Sequence, residues 1–362
     1  MKFVDEFRNQ NLVRALACRI NEITSKDKTI NLMEVCGTHT QGFFRFGLKE
    51  LLPKNIRLIS GPGCPVCVSS QDYLDHAVAL AKIPGVIITT FGDMLRVPGS
   101  SSALEKERAK GADVRVVYST LDSLKIAAQN PDKKIVFLGV GFETTAPTIA
   151  LAILQAKKKG LNNFSVLASH KLIVPAMEEI CKDPHLNIHG FLCPGHVSVI
   201  IGSRPYEIIS RRYRVPCVIA GFEPLDILEG IYMLLRMIKE KKSAVKIQYK
   251  RVVTPAGNLR AKAVLRRVFS VADSSWRGLG IIPKSGLKIN PAFARFDAGK
   301  IFKLKDLDAS PPKGCWCGLI LKGVKVPPDC PNFSRRCTPE NPLGPCMVAT
   351  EGACSVYYRY RK

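Results

Sequence analysis

The sequence predicts an α/β protein built on parallel sheets, followed by a small cysteine-rich iron–sulfur or zinc region. Two observations lead to this prediction. Over the first 255 residues, short apolar runs rich in β-branched side chains alternate with helical stretches, which is typical of βαβ units. Residues 256–362 instead combine frequent glycine and proline with six cysteines between positions 315 and 354.

Nine segments have the composition of buried strands bounded by turn residues. They are 30–36, 56–61, 85–91, 113–119, 134–141, 164–170, 188–195, 215–222 and 245–253. Helical periodicity is clearest at 69–82, 148–159 and 225–240. Strands that alternate with helices favour parallel pairing, because a parallel pair needs a crossover connection.

The α/β region resembles itself at an offset of about 132 residues. At that offset "LISGPGCPVCV" aligns with "GFLCPGHVSVI", and "TTFGDML" aligns with "AGFEPLD". We therefore expect two similar α/β units, residues 1–125 and 126–255, with a cleft between them. Residues 256–362 form the predicted third domain, which needs a metal or a cross-link to fold.

The composition indicates a cytoplasmic protein. No apolar run approaches the roughly 20 residues that span a bilayer, and the first residues lack the apolar core of a signal peptide. The net charge of +24 is compatible with nucleic-acid binding. However, the basic residues are dispersed and lack interleaved aromatic side chains, which favours solvated lysine-rich faces or an acidic protein partner.

A lone cysteine, Cys36, follows the first predicted strand in "CGTHT". Ligands of open parallel sheets bind beyond the carboxyl ends of the strands. Gly37 permits close approach of the backbone, while Thr38 and His39 supply hydrogen-bonding groups. Cys36 is a candidate metal ligand or a packed small side chain. His39 is a candidate ligand, a base for Cys36, or a loop histidine with satisfied bonds.

A CxxC pair, Cys64 and Cys67, lies between a predicted strand and a predicted helix. The amino end of a helix stabilises thiolate, which is the reactive and metal-binding form of cysteine. Proline inside the CxxC motif is typical of dithiols that cycle with a disulfide. We predict a redox function for this pair.

Polar residues follow several other predicted strands and point to the cleft. They are Asp93, Arg96, Glu143, Thr144, Thr145, His196 and Ser198. Some of them are alternatively helix caps, for which Thr144 and Thr145 are suitable residues. Neither GxxxxGK[ST] nor GxGxxG opens a predicted helix, which disfavours nucleotide binding.

The late cysteines predict a metal site. They are Cys315, Cys317, Cys330, Cys337, Cys346 and Cys354. Zinc sites usually contain two close pairs, whereas widely spaced thiolates beside glycine or proline also suit a [4Fe–4S] cluster. Their spacing by itself leaves zinc and iron–sulfur both open.

Seven motifs, in order along the chain, resemble the HypD family of hydrogenase maturation factors. They are "EVCGTHT", "GPGCPVCV", "TFGDMLRVPGS", "GFETTAPT", "PGHVSVIIG", "SSWRGLGIIPKSGL" and "CTPENPLGPCMVATEGAC". The cluster cysteines of that family follow C-x14-C-x6-C-x16-C, which Cys315, Cys330, Cys337 and Cys354 match. Cys317 and Cys346 are then a spare pair. The approach to Cys337, "NFSRRC", departs from the family pattern.

The resemblance implies a scaffold that assembles the Fe(CN)2CO unit of [NiFe]-hydrogenase, and it implies roles for the cysteines. Cys36 would share the iron with a small partner, HypC, and cyanide would arrive as a thiocyanate on HypE. The hydrogenase large subunit would be served indirectly. A [4Fe–4S] cluster would pass electrons to Cys64 and Cys67, which are also candidate iron contacts. Polar side chains around Cys36 could hold the cyanide nitrogens by hydrogen bonds, and the candidates are Thr38, His39, Glu143 and His196.

Two other functions are compatible with the residues. One is a thiol–disulfide oxidoreductase with an iron–sulfur cluster that acts on another protein, in which Cys36 is incidental. The other is a zinc-stabilised, basic nucleic-acid-binding protein, suggested by the charge and the late cysteines.

Overall fold

The computed structural model describes residues 4–25, 27–183, 185–305, 309 and 312–360. The strands of this part of the chain are β1 (Ile30–Glu34), β2 (Ile56–Ser60), β3 (Val86–Thr90), β4 (Asp113–Val116), β5 (Lys134–Gly141), β6 (Phe164–Lys171), β7 (Gly190–Pro194), β8 (Cys217–Ala220), β9 (Val245–Ile247), β10 (Phe269–Trp276) and β11 (Gly280–Ile289). All nine predicted strands are confirmed as β1 to β9, and all but β5 and β6 are shorter than predicted. The α/β class is therefore confirmed.

The α-helices are α1 (Gln10–Ile23), α2 (Gly37–Arg45), α3 (Gln71–Ala81), α4 (Leu104–Ala109), α5 (Thr120–Gln129), α6 (Ala146–Lys158), α7 (Ile173–Lys182), α8 (Gly195–Ile201), α9 (Glu207–Arg212), α10 (Pro224–Lys239), α11 (Leu259–Val268), α12 (Ala298–Ile301), α13 (Cys317–Leu321), α14 (Pro345–Val348) and α15 (Ala353–Tyr360). The three helices predicted from periodicity are confirmed as α3, α6 and α10. Over the residues that the structure describes, no helix combines the length and the apolar character needed to cross a membrane.

The strands form two sheets that draw on both halves of the α/β region. Sheet A has the order β2-β1-β7-β8-β9 and is parallel throughout. Sheet B has the order β10-β11-β6-β5-β3-β4, in which β3 to β6 are parallel. The chain passes from sheet A to sheet B after α3 and returns after α7.

The predicted division into consecutive units, 1–125 and 126–255, does not describe these sheets. Each sheet contains strands from both ranges, so the two α/β units are interleaved along the chain. A crossover helix can return the chain to either sheet. A strand that is buried on both faces has the same apolar residue pattern in either sheet. The strand pattern therefore predicted each strand but not the sheet to which it belongs.

The predicted third domain, 256–362, also divides. Helix α11 leads into β10 and β11, an antiparallel hairpin that extends sheet B through the pairing of β11 with β6. The turn of this hairpin carries Gly278 and Gly280 at φ of +79° and +77°, a conformation that favours glycine. Only the part that starts at residue 312 is a cysteine-rich segment without strands of its own, as far as the chain is described.

The cysteine-rich segment lies against the loops of both sheets. Thr38, which follows β1 of sheet A, bonds Glu351, and Asp93, which follows β3 of sheet B, accepts a hydrogen bond from the backbone of Thr350. Arg96 donates to the carbonyl oxygen of Pro339. One apolar core joins the inner faces of the two sheets to this segment. The carboxyl ends of the strands therefore meet a third part of the chain.

Candidate functional site

Cys36 occupies the junction between β1 and α2. Its backbone is extended, and its carbonyl oxygen accepts hydrogen bonds from the amides of His39 and Thr40 in the first turn of α2. The side chain is buried. Burial, followed by the nearby charge of Glu351, raises the pKa of the Cys36 thiol to about 12. A metal ion bound to this sulfur would therefore have to displace a firmly held proton.

The CxxC loop packs directly on the backbone of Cys36. The contact runs through Gly63, where a Cβ atom would lie 2.2 Å from the amide nitrogen of Cys36. The carbonyl oxygen of Gly63 also accepts a hydrogen bond from Gly37 at 3.4 Å. The predicted metal ligand and the predicted redox pair are therefore neighbours, although 28 positions separate Cys36 from Cys64.

Cys64 and Cys67 form a disulfide with a Cα–Cα distance of 5.2 Å. Both residues are buried, at 5% and 0% exposure. The amide of Cys67 donates to the sulfur of Cys64 at 3.2 Å. The pair lies in a turn ahead of α3 and not in the first turn of that helix, because the bond from the Val68 amide to the Cys64 carbonyl closes one separate turn. The expected proximity to a helix amino end is thus only approximate.

Thr38 is held by an acidic residue that the sequence reasoning missed. Its hydroxyl donates to the Glu351 carboxylate at 2.6 Å. The neighbouring Gly37 touches the same residue, since a Cβ atom on Gly37 would lie 2.5 Å from the Glu351 carbonyl oxygen. The available signal was the position of Glu351 in "EGAC", three residues before a predicted cluster cysteine.

His39 is fully buried and faces β8. Its Nε2 lies 2.9 Å from the carbonyl oxygen of Gly221 and 3.3 Å from that of Ala220. Its Nδ1 has no partner among the described residues. Burial lowers the pKa of His39 to about 4, so the ring is neutral and donates from Nε2. His39 thus lies in the first turn of α2 and not in a loop, and only one of its two ring nitrogens has a partner among the described residues.

His196 begins α8 and is exposed, unlike His39. Its ring stacks on Phe222 at a centroid distance of 4.0 Å, and the ring of His39 lies 4.9 Å from the same phenylalanine. The two predicted histidines are therefore brought together on sheet A through Phe222.

Glu143 lies apart from them, at the end of β5 in sheet B. Its Oε1 accepts a hydrogen bond at 3.1 Å from the backbone N–H of Ile173, the first residue of α7. Its Oε2 is buried without a partner in the described chain. Burial raises the pKa of Glu143 to about 7. The structure thus gives this residue a contact to α7.

A second missed carboxylate, Glu34, lies two residues before Cys36. Its Oε1 accepts a hydrogen bond from the Ser60 hydroxyl at 3.0 Å, and Ser60 in turn contacts the Thr40 hydroxyl at 3.3 Å. Burial raises the pKa of Glu34 to about 8. Inward-facing glutamate inside an apolar strand was the available signal.

The four cysteines of the family spacing line one cavity of the cysteine-rich segment. They are Cys315, Cys330, Cys337 and Cys354. Cys317, predicted as spare, also lines this cavity. Gly344 packs against this cavity, and a Cβ atom added to Gly344 would lie 2.7 Å from the Cys315 sulfur. Thiols that line one apolar cavity are the donor type that an iron–sulfur cluster takes. Among the described residues, no group of three or more His, Cys, Asp or Glu side chains is arranged to hold a metal ion.

The thiols of this segment perturb one another. The pKa of Cys315 is raised by its hydrogen bond with Cys317 and by burial, and the charge of Arg277 opposes that rise. Hydrogen bonds from Cys317 and Cys346 lower the pKa of Cys354 to about 6.

Arg277, in the turn of the β10–β11 hairpin, connects the CxxC segment to the late cysteines. Its Nε donates to the Ser69 carbonyl oxygen at 3.0 Å and its Nη2 donates to Oε1 of Gln71 at 2.7 Å. On the other side of the turn, a Cβ atom on Gly278 would lie 2.2 Å from Cα of Gly318, the residue after Cys317. The hairpin turn is therefore inserted between the two cysteine motifs.

The comparison with known proteins agrees with these motifs. The HypD family model, described as the hydrogenase formation hypA family, matches residues 11–361. The chain is 49% identical to the hydrogenase maturation factor HypD of Azotobacter vinelandii over 367 residues, which cover 99% of this chain and 97% of the relative. It is 44% identical to HypD of Escherichia coli K12 over 368 residues, which cover 100% of this chain and 99% of that relative.

Proposed function

This chain belongs to the HypD family, and we propose that it is a hydrogenase maturation factor that holds iron at Cys36 while the Fe(CN)2CO unit is assembled. The observation that carries this proposal is the contact between Cys36 and the CxxC loop at Gly63. That contact puts a soft thiolate ligand for iron beside a pair of sulfurs that can store two electrons.

Cys36 binds the cargo iron after losing its proton. Burial disfavours ionisation of the Cys36 thiol, so the bound cation must itself stabilise the thiolate. Cyanide bound to iron accepts hydrogen bonds, so polar donors around Cys36 would orient it. Of the predicted candidates, exposed His196 has a side chain open to such a contact, whereas Thr38 already donates to Glu351.

The chemistry of cyanide delivery explains the redox pair. A thiocyanate on the partner HypE has the form R–S–CN, and its cleavage to R–SH and HCN consumes two electrons and two protons. The dithiol form of Cys64 and Cys67 supplies those two electrons and two protons as it closes to the disulfide. The partner HypC shares the iron with Cys36, and the hydrogenase large subunit receives the product indirectly.

Cys315, Cys330, Cys337 and Cys354 would hold a [4Fe–4S] cluster, since these four line one cavity. Such a cluster, when bound, supplies single electrons at low potential, which is the supply that a CxxC disulfide needs to be reduced again. Within the chain itself, contacts of Arg277 and Gly278 connect this cysteine-rich segment to the CxxC segment.

The two alternatives receive less support. A general thiol–disulfide oxidoreductase leaves Cys36 without a role, whereas Gly63 of the CxxC loop packs directly on the backbone of Cys36. The nucleic-acid-binding alternative is superseded by membership of the HypD family.

Metal analysis of anaerobically purified protein tests this function. We expect about four sulfides and at least four irons per chain. The Cys36→Ala variant should keep the sulfide and lose hydrogenase maturation in a deletion strain. Zinc without sulfide would refute the cluster. Full maturation by Cys36→Ala would refute the iron site.

A further inference from the structure

Sheet A has an open edge along β2. In the order of the sheet, β2 has a neighbour on one side only, which is β1. The amide of Gly61, just after β2, donates to Glu34 of β1. The carbonyl oxygen of Asn55 accepts from Ile30, so the odd-numbered residues of this stretch direct their backbone groups toward β1. The backbone groups of Leu58 therefore point to the open side, where they have no partner among the described residues.

A groove of about 540 Å³ runs along this edge. Its apolar lining comes from β2, from α2 and from the segment that follows α13. In that segment Val324 and Val326 are 46% and 41% exposed. Gly323 packs on β2, since a Cβ atom there would lie 2.4 Å from the Ile59 side chain. Unpaired backbone groups beside exposed apolar side chains offer a place for one more strand.

The lining of this groove carries an excess of positive charge. Its carboxyl groups are those of Asp329, which accepts a hydrogen bond from the amide of Val326, and of Glu34, which is buried and accepts from the Ser60 hydroxyl. Four exposed cations also line it, and none of them has a carboxylate partner among the described residues. They are Lys49, Lys54, Arg57 and Lys325. Such a lining is complementary to an occupant that carries carboxylates.

We propose that this groove binds an extended segment of another protein, one that combines acidic and apolar side chains, as an added strand beside β2. The open backbone groups of Leu58 give such a segment main-chain hydrogen bonds, and the exposed valines and the four cations select its side chains. Because Glu34 of β1 and Phe43 of α2 belong to the lining, the bound segment lies beside the two elements that flank Cys36. The inference does not depend on the iron and redox chemistry proposed above.

The test uses the full-length chain and a fluorescein-labelled peptide of alternating glutamate and valine. Binding is followed by fluorescence anisotropy at low and at physiological salt. We expect saturable binding with a Kd below about 1 mM that weakens as salt is added. A peptide of alternating lysine and valine has the same length and the opposite charge, and it should not saturate over the same range of concentration.

Two charge reversals locate the binding. Lys54→Glu combined with Arg57→Glu should raise the Kd of the glutamate peptide at least about tenfold, because both side chains line the groove. Both residues are exposed, so the fold should persist, and circular dichroism checks it. The matched control combines Lys246→Glu with Lys288→Glu, which makes the same change in net charge on β9 and β11, outside the groove. It should leave the Kd within about twofold.

A proline tests the added strand itself. Leu58→Pro removes the outward amide of β2 and leaves the hydrogen bonds to β1, as an edge strand permits. It should raise the Kd at least about tenfold, whereas Leu58→Ala, which keeps the amide and loses the side chain, should raise it less than about threefold. If Leu58→Pro folds poorly, the charge reversals still decide whether the groove binds the peptide.

Three results would overturn the inference. They are the absence of saturable binding by the wild-type chain, equal binding of the two peptides, and a loss of affinity that is the same in the groove reversals as in their control. An equal effect of Leu58→Pro and Leu58→Ala would refute the added strand. Because the assay measures neither metal nor maturation, its failure leaves the proposed function standing, and failure of the metal analysis leaves this inference standing.

Discussion

The backbone nitrogen of Cys36 occupies the space that a side chain on residue 63 would need. A Cβ atom added to Gly63 would lie only 2.2 Å from that nitrogen. Two loops that follow neighbouring strands, β1 and β2, are therefore in backbone contact. Glycine at position 63 is required by this close approach and not by its own backbone conformation, since its φ lies outside the left-handed region.

Gly63→Ala should separate Cys36 from the CxxC loop. The added methyl group meets backbone atoms, which cannot rotate away, so we expect a loss of about 1–3 kcal/mol in the free energy of unfolding. Maturation of hydrogenase in a deletion strain should fall strongly, while acid-labile sulfide per chain stays at the wild-type level. The control is Gly92→Ala, whose Cβ atom would meet only a Val116 methyl group at 3.9 Å. Equal maturation by both variants would contradict the importance of this contact.

The bond between Thr38 and Glu351 should support maturation. Thr38→Val removes the hydroxyl that donates at 2.6 Å and leaves the partly buried carboxylate without it, which costs about 1–3 kcal/mol. Thr38→Ser keeps a hydroxyl and is the matched control. Urea unfolding and complementation report the two effects. If Thr38→Ser is as defective as Thr38→Val, the hydroxyl is not the group that matters.

Serine substitutions should separate the cluster cysteines from the spare pair. We expect Cys315→Ser, Cys330→Ser, Cys337→Ser and Cys354→Ser each to lose most of the acid-labile sulfide and of the cluster's visible absorbance. Cys346→Ser should retain both, because Cys346 lies outside the cavity lining. Cys317 lines the cavity, so its variant is the most informative. Sulfide loss in Cys317→Ser with retention in Cys315→Ser would reassign the ligand.

Glu143 should make stability depend on pH. Its pKa rises from 4.5 to about 7 on folding, so the folded state holds a proton that the unfolded state releases between those values. The free energy of unfolding therefore falls as pH rises from about 4.5 to about 7, by about 3 kcal/mol from this group. Glu143→Gln keeps an oxygen for the Ile173 amide and should lack that contribution.

Urea titrations of wild type and Glu143→Gln at pH 4.5, 6 and 7.5 check this dependence. The difference between the two proteins isolates the carboxyl group, because the other titrating residues are common to both. Parallel pH profiles would show that the Glu143 carboxyl ionises as freely in the fold as in the unfolded chain.

The sequence predicted the individual strands well because each is a short apolar run bounded by turn residues. It could not assign those strands to sheets, since β1 and β3 are both largely buried and yet belong to sheet A and sheet B respectively. It did not predict the β10–β11 hairpin, because both strands carry exposed polar positions and because residues 256–362 were assigned as one cysteine-rich domain. The "RGLG" turn, with two glycines at positive φ, was the overlooked signal.

By itself, the sequence determined the chemistry of this protein: the thiols at Cys36, in the CxxC motif and at the late positions, and the motif order that marks the HypD family. Only the tertiary structure decided how those groups meet. It placed Gly63 on Cys36, Glu351 on Thr38 and Arg277 between two cysteine motifs. These contacts join residues far apart in the chain, and no local pattern records them, because they depend on which strands become neighbours.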